Sequence, residues 1–131
     1  MAKTKRYTIA LENRPGALAD VVRTLANANV NILAVLGTAQ ETSGAAEFVV
    51  EDARGAKRAL DKAKIAYQAS TAEAHELPNK PGALAEYLST LAKRGVNLDS
   101  IFATACKGGK SAMVIYRVSE REEKMEPSAF F

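Results

Sequence analysis

Residues 13–19 read Asn-Arg-Pro-Gly-Ala-Leu-Ala, and residues 79–85 read Asn-Lys-Pro-Gly-Ala-Leu-Ala. From this turn the register runs without a gap, 13–39 against 79–105, and about half of the positions are identical. Self-similarity over such a period marks a tandem duplication in which each copy is one supersecondary unit. The 131 residues would fit one ordinary domain or two very small ones. The repeat decides for two, divided here as 1–70 and 71–131.

Each copy can be read by its period. Tyr7, Ile9 and Leu11 alternate with Arg6, Thr8 and Ala10, the pattern of a strand with one buried face. After the Pro-Gly turn, Leu18, Val21, Val22, Leu25 and Ala26 recur at helical spacing over 16–28. Asn29 then stands where a left-handed residue ends a helix, and the second copy has Gly95 there. Residues 32–38 and 48–50 read as strands with Ser43 and Gly44 as hairpin punctuation between them. Asp52 suits the N-cap of a helix over 53–63, and 65–68 reads as a last strand.

The expected fold class is therefore α+β: two tandem ferredoxin-like units of the order βαββαβ, with antiparallel sheets side by side. The second copy follows with a strand at 72–77, a helix at 82–94, and strands at 98–106 and 112–118. It then stops early. Ser119 and Glu122 have capping-box spacing, but Pro127 follows closely and leaves no room for a full last strand. A missing strand leaves an open sheet edge, expected to be covered by a second protomer or by the 129–131 tail.

The repeated turn can carry chemistry. The first N–H groups of a helix lack intrahelical acceptors and the helix dipole makes that end partly positive, so a carboxylate or phosphate fits there. Gly16 and Gly82 permit close approach, Pro15 and Pro81 stiffen the entry, and Asn13 and Asn79 bring a donor and an acceptor. Arg14 and Lys80 add charge at the rim. The competing reading is a tight strand-to-helix connection copied along with everything else. Asn31 and Asn97, inside Val-Asn-Ile and Val-Asn-Leu, are polar where packing favours apolar residues, and they too have a plain alternative in the bend after the helix.

Glu-Asn-Arg-Pro-Gly-Ala-Leu-Ala with Val-Asn-Ile, and Pro-Asn-Lys-Pro-Gly-Ala-Leu-Ala with Val-Asn-Leu, resemble the ACT domain family, specifically its small tandem members. The resemblance covers nearly the whole chain. It implies a non-catalytic regulatory module that binds a small molecule, most often an amino acid, between two domains. It implies ligand contacts from the turn after the first strand of one domain and from the start of the second strand of its neighbour. By motif these are Asn13, Pro15, Gly16, Ala17, Leu18 and Asn31, then Asn79, Pro81, Gly82, Ala83, Leu84 and Asn97. Leu33 and Ala34 align with Asp99 and Ser100, so the two sites are expected to differ in polarity. The open edge points to a homodimer, and output is expected from a partner in trans, such as a biosynthetic enzyme, or from changed oligomerisation.

Composition excludes little but ranks the rivals. The net charge of +3, from 18 Lys and Arg against 15 Asp and Glu, is spread along the chain and clusters only at Lys3, Lys5 and Arg6. Nucleic-acid binding is therefore not expected: Phe48 is suggestively placed, but Ala45, Ala46 and Glu47 stand where the stacking rings of RNA-recognition domains would be wanted, and an RNA-binding module is the less favoured alternative. A single His75 and a single Cys106 give no zinc ligand set and no activated nucleophile, so neither catalysis, a metal nor a cofactor is expected. The lone cysteine excludes an intrachain disulfide framework, and no apolar run reaches the length of a membrane span. A cytoplasmic protein is the expectation. The remaining alternative to a sensor is an association module that docks onto an enzyme without a ligand of its own.

Overall fold

The computed structural model describes residues 3–119. Six strands and three helices follow in the order β1 (Lys3–Glu12), α1 (Ala17–Asn27), β2 (Ile32–Gln40), β3 (Ser43–Val50), α2 (Ala53–Lys62), β4 (Gln68–Pro78), α3 (Ala83–Lys93), β5 (Leu98–Ala105) and β6 (Ser111–Val118). The chain divides into two compact units, Thr4–Thr71 and a second from Ala72 onward. The fold is α+β with antiparallel strand pairing in each unit.

In the first unit the strands lie in the order β2-β3-β1. β1 is paired to β3 from Arg6↔Val49 to Glu12↔Ser43, and β2 to β3 from Ile32↔Val50 to Gln40↔Ser43. Alternation then sends Tyr7 and Ile9 of β1 and Ala46, Phe48 and Val50 of β3 to one face, where they are buried against Val21 and Leu25 of α1 and Ala56 and Leu60 of α2. Each large apolar side chain so buried contributes about 1.5–3 kcal/mol of transfer free energy. The opposite face also has buried residues, Val49 and, less expectedly, Arg6, whose guanidinium meets Glu47 at 3.2 Å.

The helices end alike. Asn29, Lys64 and Gly95 have φ of 61°, 59° and 76°. In each case the next N–H reaches back to the carbonyl five residues earlier: Val30 to Leu25, Ile65 to Leu60, Val96 to Leu91. This is the Schellman arrangement, with its apolar contact between the residue after the cap and the last turn. At the other end of α2, the Asp52 carboxylate accepts from the Gly55 N–H at 3.0 Å, as its cap position predicts.

This termination corrects the expected strand over 65–68. The Ile65 N–H is held by the Leu60 carbonyl, and Ile65 and Tyr67 pack into the first core, so the backbone is not free to extend there. Extended structure begins only at Gln68 and runs to Pro78 as one strand, through the division between Thr71 and Ala72. The separate last strand of the first copy and first strand of the second are thus a single element. The hairpin is also shifted: Ser43 and Gly44 belong to β3, and the chain reverses at Glu41, with φ 53°, and Thr42. Gly44 is required because a Cβ there would stand 2.9 Å from the Thr38 carbonyl oxygen.

The second unit orders its strands β4-β6-β5, and α3 covers a smaller core of Leu91, Val114 and Tyr116 with Leu77, Tyr87, Leu88, Val96 and Leu98. The duplication extends to an irregularity: β2 slips register between Ile32 and Ala34, and β5 between Leu98 and Ser100. Leu33 and Asp99, aligned in sequence, are both bulged residues. The expected helix start at Ser119 and Glu122 and the 129–131 tail lie outside the described residues, apart from Ser119 itself, which is buried.

Candidate functional site

The repeated turn has one geometry in both copies. Pro15 and Gly16 are the central residues of a type II turn closed by the Ala17 N–H on the Arg14 carbonyl at 3.3 Å, with Gly16 at φ 89° and ψ −13°. Pro81 and Gly82 repeat it, with Ala83 on the Lys80 carbonyl at 3.3 Å and Gly82 at φ 88° and ψ −17°. The turn delivers the chain directly into α1 or α3, whose first intrahelical bonds run from Asp20 to Gly16 and from Glu86 to Gly82, both at 2.9 Å. A glycine N-cap has no side-chain acceptor. The N–H groups of Leu18 and Ala19 therefore open the positive end of α1 with no cap from its own N-cap residue.

Asn13 and Asn79 have a task the sequence reading did not assign. The Asn13 side-chain amide donates to the Glu41 carbonyl at 2.6 Å, and its backbone N–H to Thr42 at 3.0 Å. Asn79 donates to the carbonyls of Cys106 and Gly109 at 3.2 and 2.9 Å. Each asparagine thus fastens the following hairpin to the Pro-Gly turn. Arg14 lies over its own turn, donating to the Pro15 carbonyl at 3.2 Å and bracketed by Glu12 and Asp20, each at 3.4 Å.

Fastening the hairpin brings the end of β2 beside the start of α1, and a cleft of about 240 Å³ opens between them. Its walls are Leu11, Glu12, Asn13 and Arg14 from the end of β1 and the turn, Ala17 and Leu18 from α1, Gly37, Thr38 and Ala39 from β2, and Gly44 and Ala45 from β3. Of the residues proposed from the motif, Asn13, Ala17 and Leu18 line this cleft, while Pro15 and Gly16 shape the turn beside it. The β2 residues were missed. Gly37, a glycine inside an alternating strand, is the one signal that could have found them, because such a glycine marks a close approach.

Asn31 lies elsewhere. It precedes β2 at the end where Ile32 pairs Val50, whereas the turn abuts the Ser43 end of β3. Seven strand residues, about 24 Å, separate the two ends. There its amide donates to the Glu51 carboxylate at 2.8 Å while its carbonyl accepts from the Glu51 N–H at 2.9 Å. Asn97 repeats the backbone part, accepting from Ser119 at 2.8 Å. A unit by itself does not bring its turn and its Val-Asn residue together.

In the second unit Ala83 is buried and Leu84 is exposed, as Ala17 and Leu18 are in the first. Asp99, expected to set the polarity of that site apart from the first, is paired with Arg117 at 2.9 Å on the adjacent strand. His75 meets the Glu73 carboxylate at 3.1 Å and stacks near Tyr116, whose hydroxyl shares a 3.0 Å hydrogen bond with Tyr87. Burial, with the Tyr87 contact, raises the Tyr116 pKa far above the ordinary phenol value. Among the described residues no group of three or more His, Cys, Asp or Glu is placed to hold a metal ion, and no helix is long and apolar enough to cross a membrane.

A strand, a Pro-Gly turn, a helix opening on a cleft and an antiparallel hairpin make up the first unit. Residues 8–65, within the first unit, match the model of the ACT domain. Among solved structures, protein BT0572 from Bacteroides thetaiotaomicron is 30% identical over 93% of this chain and 83% of its own, with a TM-score of 0.82. The regulatory subunit of aspartate kinase from Thermus thermophilus, in ligand-free form, shares the fold at TM-score 0.66 and 20% identity over 94% of this chain and 87% of its own. That from Thermus flavus does so at TM-score 0.63 and 19% identity, over 88% and 83%. None of the curated proteins matches. The ACT domain match over 8–65 supports a regulatory, ligand-binding role.

Proposed function

We propose that the protein is a non-catalytic sensor of an amino acid, built from two ACT-like domains at 1–70 and 71–131. The observation that carries this reading is the cleft joining the start of α1 to the end of β2. At about 240 Å³ it is smaller than the roughly 300–1,000 Å³ of sites for drug-sized molecules and suits a ligand of amino-acid size. The ligand carboxylate sits at the Leu18 and Ala19 N–H groups, its side chain between Leu11, Leu18 and Ala39. The site is completed by a Val-Asn residue, Asn31 or Asn97, of a neighbouring domain, which accounts for its distance from the turn of its own unit. Pro81, Gly82, Ala83, Leu84 and Asn79 form the corresponding second site.

Assembly as a homodimer is part of this reading, and the outer strands support it. Among the described residues β2 pairs only with β3 and β5 only with β6, and both present exposed apolar residues: Val35 and Leu36, and Ile101. This observation also favours the second reading, an association module that docks onto a biosynthetic enzyme in trans with no ligand of its own. A ligand shared between domains shifts such an assembly only through its differential affinity for the two states.

Thermal unfolding of the full chain against the common amino acids separates the two. A ligand that binds only the folded form adds about 2.7 kcal/mol of stability at a hundredfold excess over its Kd, a shift of several degrees in Tm. A selective shift supports the sensor, and none with any amino acid supports the association module.

A further inference from the structure

The two units differ at the floor of the cleft in a way the motif does not report. In the first, Gly37 of β2 pairs with Ala46 of β3. In the second, Ala103 of β5 occupies the aligned position and pairs with Val114 of β6. The position under the start of the helix thus holds a glycine beside an alanine in one unit, and an alanine beside a valine in the other. The helix side is unchanged, with Leu18 and Leu84 exposed to 37% and 39%. A Cβ built on Gly37 would meet one neighbour, the Leu18 Cδ2 at 3.7 Å. That is ordinary contact, so the first unit has room for a methyl group that it does not carry. The backbone of Gly37 is not among those with positive φ. Its glycine therefore serves neither conformation nor avoidance of a clash.

We propose that Gly37 sets the size of the ligand side chain accepted by the first unit, making it a site for a small aliphatic α-amino acid. The space left at Gly37 receives the end of that side chain, against Leu18 on one side and Ala39 and Leu11 on the other. The Ala103 methyl group takes the same position in the second unit, which restricts that site to ligands with shorter side chains. The inference rests on the amino-acid reading above and adds the residue that discriminates.

The test is isothermal titration of the full chain with glycine, L-alanine, L-valine and L-leucine, for the unaltered protein and for Gly37→Ala and Gly37→Val. Circular dichroism and Tm confirm that each variant is folded. One methylene in an apolar pocket changes discrimination by about 10- to 200-fold. Gly37→Ala is expected to weaken the largest amino acid that binds by at least about tenfold and to leave the smallest within about twofold. Gly37→Val removes binding of valine and leucine altogether. Equal loss across the series, or no change in any member, overturns the role of Gly37 while leaving the amino-acid reading in place. Failure of the unaltered protein to bind any of them overturns the inference about Gly37, is recognised before any substitution is compared, and leaves the amino-acid reading to the full panel of common amino acids.

Discussion

Gly16 and Gly82 hold the same backbone conformation, φ 89° and ψ −13° against φ 88° and ψ −17°, in turns closed by equivalent hydrogen bonds. The left-handed region excludes the Cβ of L-residues by roughly 1–2 kcal/mol, so each copy retains glycine there for conformational reasons before any ligand is considered. A Cβ on Gly82 would find nothing within 4 Å, and one on Gly16 only the Arg14 Nη1 at 3.7 Å. Gly16→Ala and Gly82→Ala are therefore each expected to destabilise by about 1–2 kcal/mol, without steric damage. Urea unfolding at unchanged m-value checks this. A much larger loss would mean that the space around the turn is tighter than the structure shows.

The asparagine of the motif is expected to act on stability through the hairpin. Asn13→Ala removes the donor to the Glu41 carbonyl, an exposed bond, and should cost about 0.5–1.5 kcal/mol. Asn79→Ala removes donors to both Cys106 and Gly109 and should cost more. Hydrogen exchange should rise at 41–44 in the first variant and at 106–111 in the second. Unchanged exchange in both would show that these bonds do not hold the loops.

The ion pair between Arg6 and Glu47 offers a test on the face away from the helices. Arg6 is 3% exposed, so removing its carboxylate partner leaves a buried charge short of a hydrogen bond. Glu47→Ala should destabilise by about 1.5–3 kcal/mol, the range for bonds to charged groups. Glu47→Gln, which retains an acceptor, should cost less. Chemical denaturation of the two variants decides whether the pair matters to stability.

Stability should also fall in alkali, with a definite sign. The Tyr116 pKa is raised in the folded protein by burial and by its bond to Tyr87. A raised acid pKa means that the fold favours the protonated phenol. Its contribution is complete below the unfolded value near 10 and declines as pH rises above it. Thermal unfolding between pH 8 and pH 11 should show a falling Tm that is shallower in Tyr116→Phe. Parallel curves would remove Tyr116 as a cause.

Much of this was legible because its causes are local. The 3.6-residue spacing of Leu18, Val21, Leu25 and Ala26 marks α1, Asp52 caps α2 through a bond three residues away, and Asn29 and Gly95 suit a left-handed position by their own chemistry. What escaped depends on chain that is remote in sequence or on residues used against type. Lys64 takes a left-handed conformation with no local sign of it, and the Schellman bond it permits delays the strand expected at 65–68. Arg6 sits among alternating residues as though solvated, yet it is buried. The cleft escaped because Gly37 and Leu18 become neighbours only when the Glu41 hairpin is fastened by Asn13. The motif named one wall of the site, and pairing of β2 with β3 supplied the other.

Methyl-resolved NMR of the full chain, titrated with the common amino acids, tests the central claim most directly. The account predicts saturable shifts for at least one small aliphatic amino acid at the methyls of Leu11, Ala17, Leu18 and Ala39, whereas Ala56 and Leu60, on the buried face of α2, stay still. Shifts at none of these methyls for any amino acid, or shifts centred away from the start of α1, would contradict it.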